Sequence, residues 1–273
     1  MTTFVLIHGA GDVGWYWHLV QAELLARGHD VVAPDLPCDD DTAGLSEYAD
    51  TVAAAIGDRA DLAVVAQSAG GFTAPLVCGR VAVELLVLVA PMIPLPGESP
   101  NSYWANTGYA QEVRDLPEDP IALFYHDVPP ELASGALARG REQSEARMDE
   151  PSPLEAWPDV PTRILLCRED RLFPPAFVRR VARERLGITP DEIGGSHCVA
   201  LSRPKELADR LEATSPLGPR RLRPARLRRT LTREEPWNHA SPRSRAARAS
   251  CAPARSGRSS PTLSISTPAI GRT

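Results

Sequence analysis

A chain of 273 residues, 43% of them hydrophobic, can bury a substantial core in one or two domains of about 100–200 residues each. Its net charge of −5 hides two parts: residues 1–215 carry 17 Lys and Arg against 33 Asp and Glu, and residues 216–273 carry 13 against 2. No apolar stretch reaches the roughly 20 residues of a membrane span, and the five cysteines show no C-x-x-C spacing, so a membrane protein, a disulfide scaffold and a zinc module are all disfavoured.

Met1-Thr2-Thr3 runs straight into the apolar segment Phe4–Ile7 without a basic leader or a cleavage site, so a soluble, cytoplasmic protein is expected. Phe4–Ile7 reads as a buried strand. His8-Gly9-Ala10 follows it, and then Trp17, Val20, Leu24 and Leu25 recur at helical spacing up to Gly28, a C-terminal cap. Asp30–Ala33 reads as the second strand, Tyr48, Val52 and Ile56 mark a second helix, and Leu62–Ala66 is a third strand. Behind it comes Gln67-Ser68-Ala69-Gly70-Gly71, in which small residues on both sides of Ser68 leave room for a sharp strand-to-helix turn. A serine in such a place is either a lifted nucleophile or an ordinary helix cap. Pro75 should kink the following helix, where its ring and missing N–H interrupt the hydrogen-bond ladder.

Leu85–Val89 is the fourth strand, after which the alternation stops. Residues 92–160 read as an insertion over the C-terminal edge of the sheet, with a helical stretch at Pro130–Arg147. Its Tyr103, Trp104, Tyr109, Phe124, Tyr125 and Trp157 could line a pocket or simply pack. Arg163–Cys167 resumes the strands. Asp170 comes three residues later, and a helix at about Pro175–Leu186 and a short strand at about Pro190–Ile193 lead to His197 in a glycine-bounded loop. Strands buried on both faces and alternating with helices imply a parallel sheet covered on both sides. After Ala213 the sequence turns to Arg, Pro, Ser and Ala without apolar periodicity. Residues 216–273 are therefore expected to be a disordered basic tail. Only its charge argues for nucleic acid, and Trp237 is its sole aromatic residue. The abrupt switch would also arise from translation in a shifted reading frame; relatives that keep the tail would exclude that origin.

A serine hydroxyl needs a base within reach and a group to orient that base. An imidazole, with an ordinary pKa of about 6.5, can take and return a proton near neutrality. Ser68, Asp170 and His197 each follow a strand, in the chain order of one known hydrolase arrangement. The backbone N–H groups of Ala69 and Ala10 are the candidate donors to a developing oxyanion. His8 points into the first turn, where a structural role is expected. A rival lies in the same segment: Gly9-Ala10-Gly11-Asp12-Val13-Gly14 is a G-x-G-x-x-G with Asp35 about 20 residues on, the pattern of a dinucleotide site. His8 and the bulky Trp15-Tyr16-Trp17 at the helix start argue against it, because a pyrophosphate must approach that end closely.

Phe4–Ala10 with Trp15 and Trp17, Ala26-Arg27-Gly28-His29, the Ser68 turn and Leu88–Pro94 together resemble the α/β-hydrolase superfamily, in its small methylesterase and hydroxynitrile-lyase branch. The resemblance covers about residues 3–213 and is weakest in the insertion. It implies an α/β-hydrolase fold, a mostly parallel sheet with helices on both faces and a small cap. It also implies Ser68 as nucleophile, His197 as base, Asp170 as orienting acid, and Ala10 and Ala69 as oxyanion donors. Gln67 and Ala66 depart from the branch, which usually has histidine and glycine there. The lyase mechanism in that branch uses a threonine beside the first oxyanion donor and a lysine in the cap; Gly9 occupies the first position, and Lys205, the chain's one lysine, lies outside the cap. The expectation is an ester or acyl hydrolase acting on a small molecule without metal or organic cofactor. A non-catalytic binding protein on the same fold and a dinucleotide oxidoreductase are the alternatives.

Overall fold

A computed structural model describes residues 1–214. The expected tail lies outside them. Six strands form one sheet: β1 (Thr3–Ile7), β2 (Asp30–Val32), β3 (Leu62–Gln67), β4 (Leu85–Val89), β5 (Thr162–Cys167) and β6 (Asp191–Ile193). Their order is β2-β1-β3-β4-β5-β6, and every pairing is parallel. All residues of β1, β3 and β4 are buried, as their unbroken apolar runs require.

The two-residue period of a strand divides the core in two. Val5, Ile7, Val64, Ala66, Leu86 and Leu88 face helices α2 (Leu45–Ile56), α3 (Gly70–Cys78) and α8 (Pro175–Leu186). Phe4, Leu6, Ala63, Val65, Val87 and Val89 face the opposite layer, built from α1 (His18–Ala26), the short α9 (Val199–Ser202) and α10 (Pro204–Thr214). Gly28 closes the α1 turn at φ 82°, a conformation open to glycine without strain. Pro75 lies inside α3, which nonetheless runs on to Cys78.

Between β4 and β5 the chain builds the cap: α4 (Pro100–Asn106), α5 (Tyr109–Glu112), α6 (Pro120–Phe124) and α7 (Pro130–Leu137). The helix expected over Pro130–Arg147 is shorter than its sequence pattern. It ends at Leu137 because the following chain hydrogen-bonds elsewhere: Arg141 N–H donates to Gly11 O at 2.8 Å and Ser144 N–H to Cys38 O at 2.7 Å. Among the described residues, no helix is long and apolar enough to cross a membrane.

The strand order changes direction between β1 and β3, which lie side by side with Ile7 opposite Ala66. Loops leaving the carboxyl ends of strands at such a point diverge to opposite faces and open a crevice. The segments Gly9–Gly11 and Gln67–Ala69 leave the sheet there.

Candidate active site

Ser68 is held in a strained turn. Its φ of 53° is uncommon for a residue with a side chain, and its surroundings account for its persistence. Ser68 N–H donates to Val89 O at 3.1 Å, and Ser68 O accepts from Gly71 N–H and Met92 N–H, both at 3.0 Å. The glycines after it are needed for close approach: a Cβ on Gly71 would lie 2.0 Å from Met92 O, and one on Gly70 would lie 2.8 Å from His8 O. Three backbone bonds and two missing side chains thus press the turn against its neighbours, leaving Ser68 at 8% exposure.

Asp170 and His197 meet in the same region. His197 Nδ1 donates to Asp170 Oδ2 at 2.8 Å, and both residues are buried. The other carboxylate oxygen, Oδ1, accepts N–H groups from Leu172 and Phe173, each at 2.9 Å. Asp170 is therefore engaged through both oxygens, and His197 Nε2 has no hydrogen-bond partner among the described residues. The loop after β6 carries His197 back across β5 and β4 toward β3, where Gln67 Nε2 donates to His197 O at 3.3 Å. Among the described residues, Ser68 Oγ makes no hydrogen bond to His197; such contacts are often long without substrate and tighten in the complex.

Gln67 occupies the position where the resemblance implied histidine. Its carboxamide links three segments, because a Cβ on Gly9 would lie 2.5 Å from Gln67 Oε1 and 3.0 Å from Ser68 Cβ. Gly9 thus lets the chain after β1 pass directly beside the elbow and brings Ala10 to it. The peptide N–H groups of Ala10 and Ala69 donate to no other group among the described residues. His8 is structural, as expected: Nδ1–H donates to Gly9 O at 2.8 Å and Nε2 accepts from Leu36 N–H at 3.0 Å. Those partners select the neutral ring, and burial lowers its pKa.

The glycines of the G-x-G-x-x-G segment serve packing. A Cβ on Gly14 would stand 2.2 Å from Ala33 O, and the cap covers the helix start, with the Arg139 guanidinium 4.5 Å above the Trp15 ring. That leaves no open helix end for a pyrophosphate. The aromatic residues of the cap divide by role. Tyr103, Trp104 and Tyr109 stack with Phe72, Phe173 and Phe177 as core, and Trp157 donates to Thr162, whereas Phe124 alone among the six approaches His197, at 5.7 Å between ring centroids.

Two acids escaped the reading of the sequence. Asp12, just beyond Ala10, has its carboxyl pushed up to about 7 by burial; its bond from Val13 N–H and the nearby His197 pull it down, and Asp35 adds to the rise. Asp127, in the cap, binds the loop that carries His197 through Ser196 N–H, at 3.1 Å. Asp12 carried a signal only as part of a glycine motif. Asp127 carried none, because its partner is 69 positions away.

The sequence matches the alpha/beta hydrolase family over residues 4–210. The chain belongs to that family. It is similar to norfluorocurarine synthase 1 from Strychnos, 23% identical over 252 residues that cover 77% of this chain and 93% of that protein. Among solved structures, polyneuridine aldehyde esterase superposes with a TM-score of 0.64 at 22% identity, covering 77% of this chain and 98% of its own. A methylesterase from Arabidopsis gives a TM-score of 0.62 at 19% identity, with 77% and 97% covered. These likenesses show the α/β-hydrolase fold.

Proposed function

We propose that this α/β-hydrolase cleaves an ester or related acyl bond of a small molecule, with Ser68 as nucleophile, His197 as base and Asp170 as its orienting acid. The buried 2.8 Å bond between His197 Nδ1 and Asp170 Oδ2 is the observation that carries the reading. It fixes the tautomer in which Nε2 can accept a proton, and it places a carboxylate against the imidazolium that results. Ser68 Oγ attacks the acyl carbonyl while His197 takes its proton. The oxyanion then gathers the N–H groups of Ala10 and Ala69, and His197 returns the proton to the leaving oxygen. Water, activated by the same ring, resolves the acyl-enzyme. Each oxyanion donor contributes a factor of about 100–1,000 in rate in well-studied enzymes, so the close approach permitted by Gly9 matters as much as the triad. Neither metal nor organic cofactor enters this chemistry.

The esterases and methylesterase among the structural relatives support an ester as the bond cleaved. The alternative is a binding protein that keeps the fold without turnover. Intact-mass analysis after a fluorophosphonate probe separates the two. The hydrolase gains one adduct, located on Ser68, and Ser68→Ala gains none and turns over an activated short-chain ester at least about 1,000-fold more slowly. A wild-type chain that stays unlabelled at Ser68 would leave the binding reading standing.

A further inference from the structure

Both neighbours of His197 are tied to the cap. Cys198 N–H donates to Phe124 O at 3.3 Å, and Ser196 Oγ donates to the same carbonyl at 2.9 Å. Ser196 N–H donates to Asp127 Oδ2 at 3.1 Å. The cap also reaches the loop that carries Asp170: His126 Nε2 donates to Glu169 O at 2.9 Å, and Arg171 Nη1 donates to Ala122 O. The two catalytic loops are joined in turn, because Glu169 N–H donates to Gly195 O at 3.2 Å and the Glu169 carboxylate accepts from Gly195 N–H.

Asp127 stands at this junction, bonded to the loop that carries His197. Gly195 adopts φ 111°, and a Cβ there would lie 3.1 Å from Ser202 Oγ and 3.2 Å from both Arg203 Cγ and Asp127 Oδ2, so the carboxylate is one of three groups packed closely against this backbone. The other oxygen, Oδ1, is buried without a hydrogen-bond partner among the described residues. A carboxylate that leaves one oxygen desolvated for the sake of a single backbone bond costs stability, and such costs concentrate where position matters. Ser196 is completely buried and contributes no group to the proposed reaction, so its two bonds to the cap serve placement.

We infer that Asp127 is a positioning residue: through the Ser196 N–H it sets the orientation of His197, making the seating of the cap and the alignment of the base a single mechanical unit. The inference rests on the proposed role of His197 as base. The cap thereby acts on the chemistry as well as covering the site, because misplacing a base by about 1 Å can cost on the order of 100-fold in rate.

The test compares Asp127→Ala, Asp127→Asn and Asp127→Ser in the full chain, well below each variant's melting temperature. Asp127→Ala should lower both kcat for a short activated ester and the rate of fluorophosphonate labelling at Ser68 by about 10–100-fold, with KM within about threefold. Asp127→Asn keeps an acceptor for the Ser196 N–H and should retain at least about a third of both rates. Asp127→Ser, too short to reach, should behave as the alanine variant and carries the test if that variant does not fold. A second readout needs no turnover. The His197 Nδ1–H proton bonded to Asp170 should give a far-downfield proton resonance in the wild type and in Asp127→Asn, and that resonance should broaden or vanish in Asp127→Ala. Wild-type labelling and an intact resonance in Asp127→Ala would overturn the inference while leaving the hydrolase reading in place. A wild-type Ser68 that is not labelled, together with a resonance lost in Asp127→Ala, would do the reverse.

Discussion

At the scale of single residues, a carboxyl beside the candidate site works against the fold at neutral pH. Asp12 lies in the loop that brings Ala10 to Ser68, and burial raises its pKa to about 7. A folded chain that holds this proton where the unfolded chain has released it loses stability as pH rises from about 4 to about 7, and the full cost remains above that range. Asp12→Asn should therefore raise the melting temperature by about 2–6 °C at pH 8 and hardly at all at pH 4. Equal shifts at both pH values would show that its ionisation is irrelevant to folding. Gln67 makes a different kind of contribution. It ties β3 to the His197 backbone across 130 positions of sequence, replacing the histidine implied by the resemblance with a side chain that cannot titrate in the working range.

At the scale of elements, the elbow between β3 and α3 depends on what is absent from it. Gly71 packs so closely on Met92 O that even a methyl group would have to displace backbone. Gly71→Ala should cost more than about 3 kcal/mol or prevent folding, whereas Ala69→Gly, which adds nothing to the turn, should fold; denaturant melts of both variants check this. The sequence already marked this element, since the run Leu62–Ala66 followed by small residues admits few other conformations. The helix expected over Pro130–Arg147 stops at Leu137 for the opposite reason. Arg139, Arg141, Glu142, Gln143 and Glu145 beyond Leu137 are good helix formers, but backbone groups of residues 141–144 find partners in the loops after β1 and β2, and local propensity carries no trace of those partners.

At the scale of the whole molecule, the cap is tied to α8 at its entry. Glu98, at its entry, is buried against Arg185 of α8, which also donates to Ile93 O and lies 4.9 Å from the Tyr103 ring. Burial pushes the Glu98 carboxyl up, but bonds from Arg185, Asn106 and the Leu95 N–H outweigh it and hold the pKa below its ordinary value. The stability from this pair is thus present above the usual glutamate range and is lost as pH falls through the folded value. Arg185→Ala leaves the carboxylate buried and unpaired and should cost about 3–5 kcal/mol at pH 7, with a smaller loss at pH 3. The double variant Arg185→Met, Glu98→Gln should recover much of that loss at pH 7, since no buried charge remains; a double variant as unstable as Arg185→Ala would place the cost in packing instead.

The sequence by itself determined the parallel sheet, the position of all six strands to within about one or two residues, and the order in which Ser68, Asp170 and His197 leave it. Those are properties of local runs: buried strands are apolar throughout, and a sharp turn needs small residues. Only the tertiary structure decided that the His197 loop bends back to Gln67, that most of the cap aromatics are core, that Asp12 lies near His197, and that Asp127 binds the loop that carries it. Each of these depends on contacts between segments far apart in the chain, where burial and hydrogen-bond partners are set by the packing of whole elements and leave no periodicity to read.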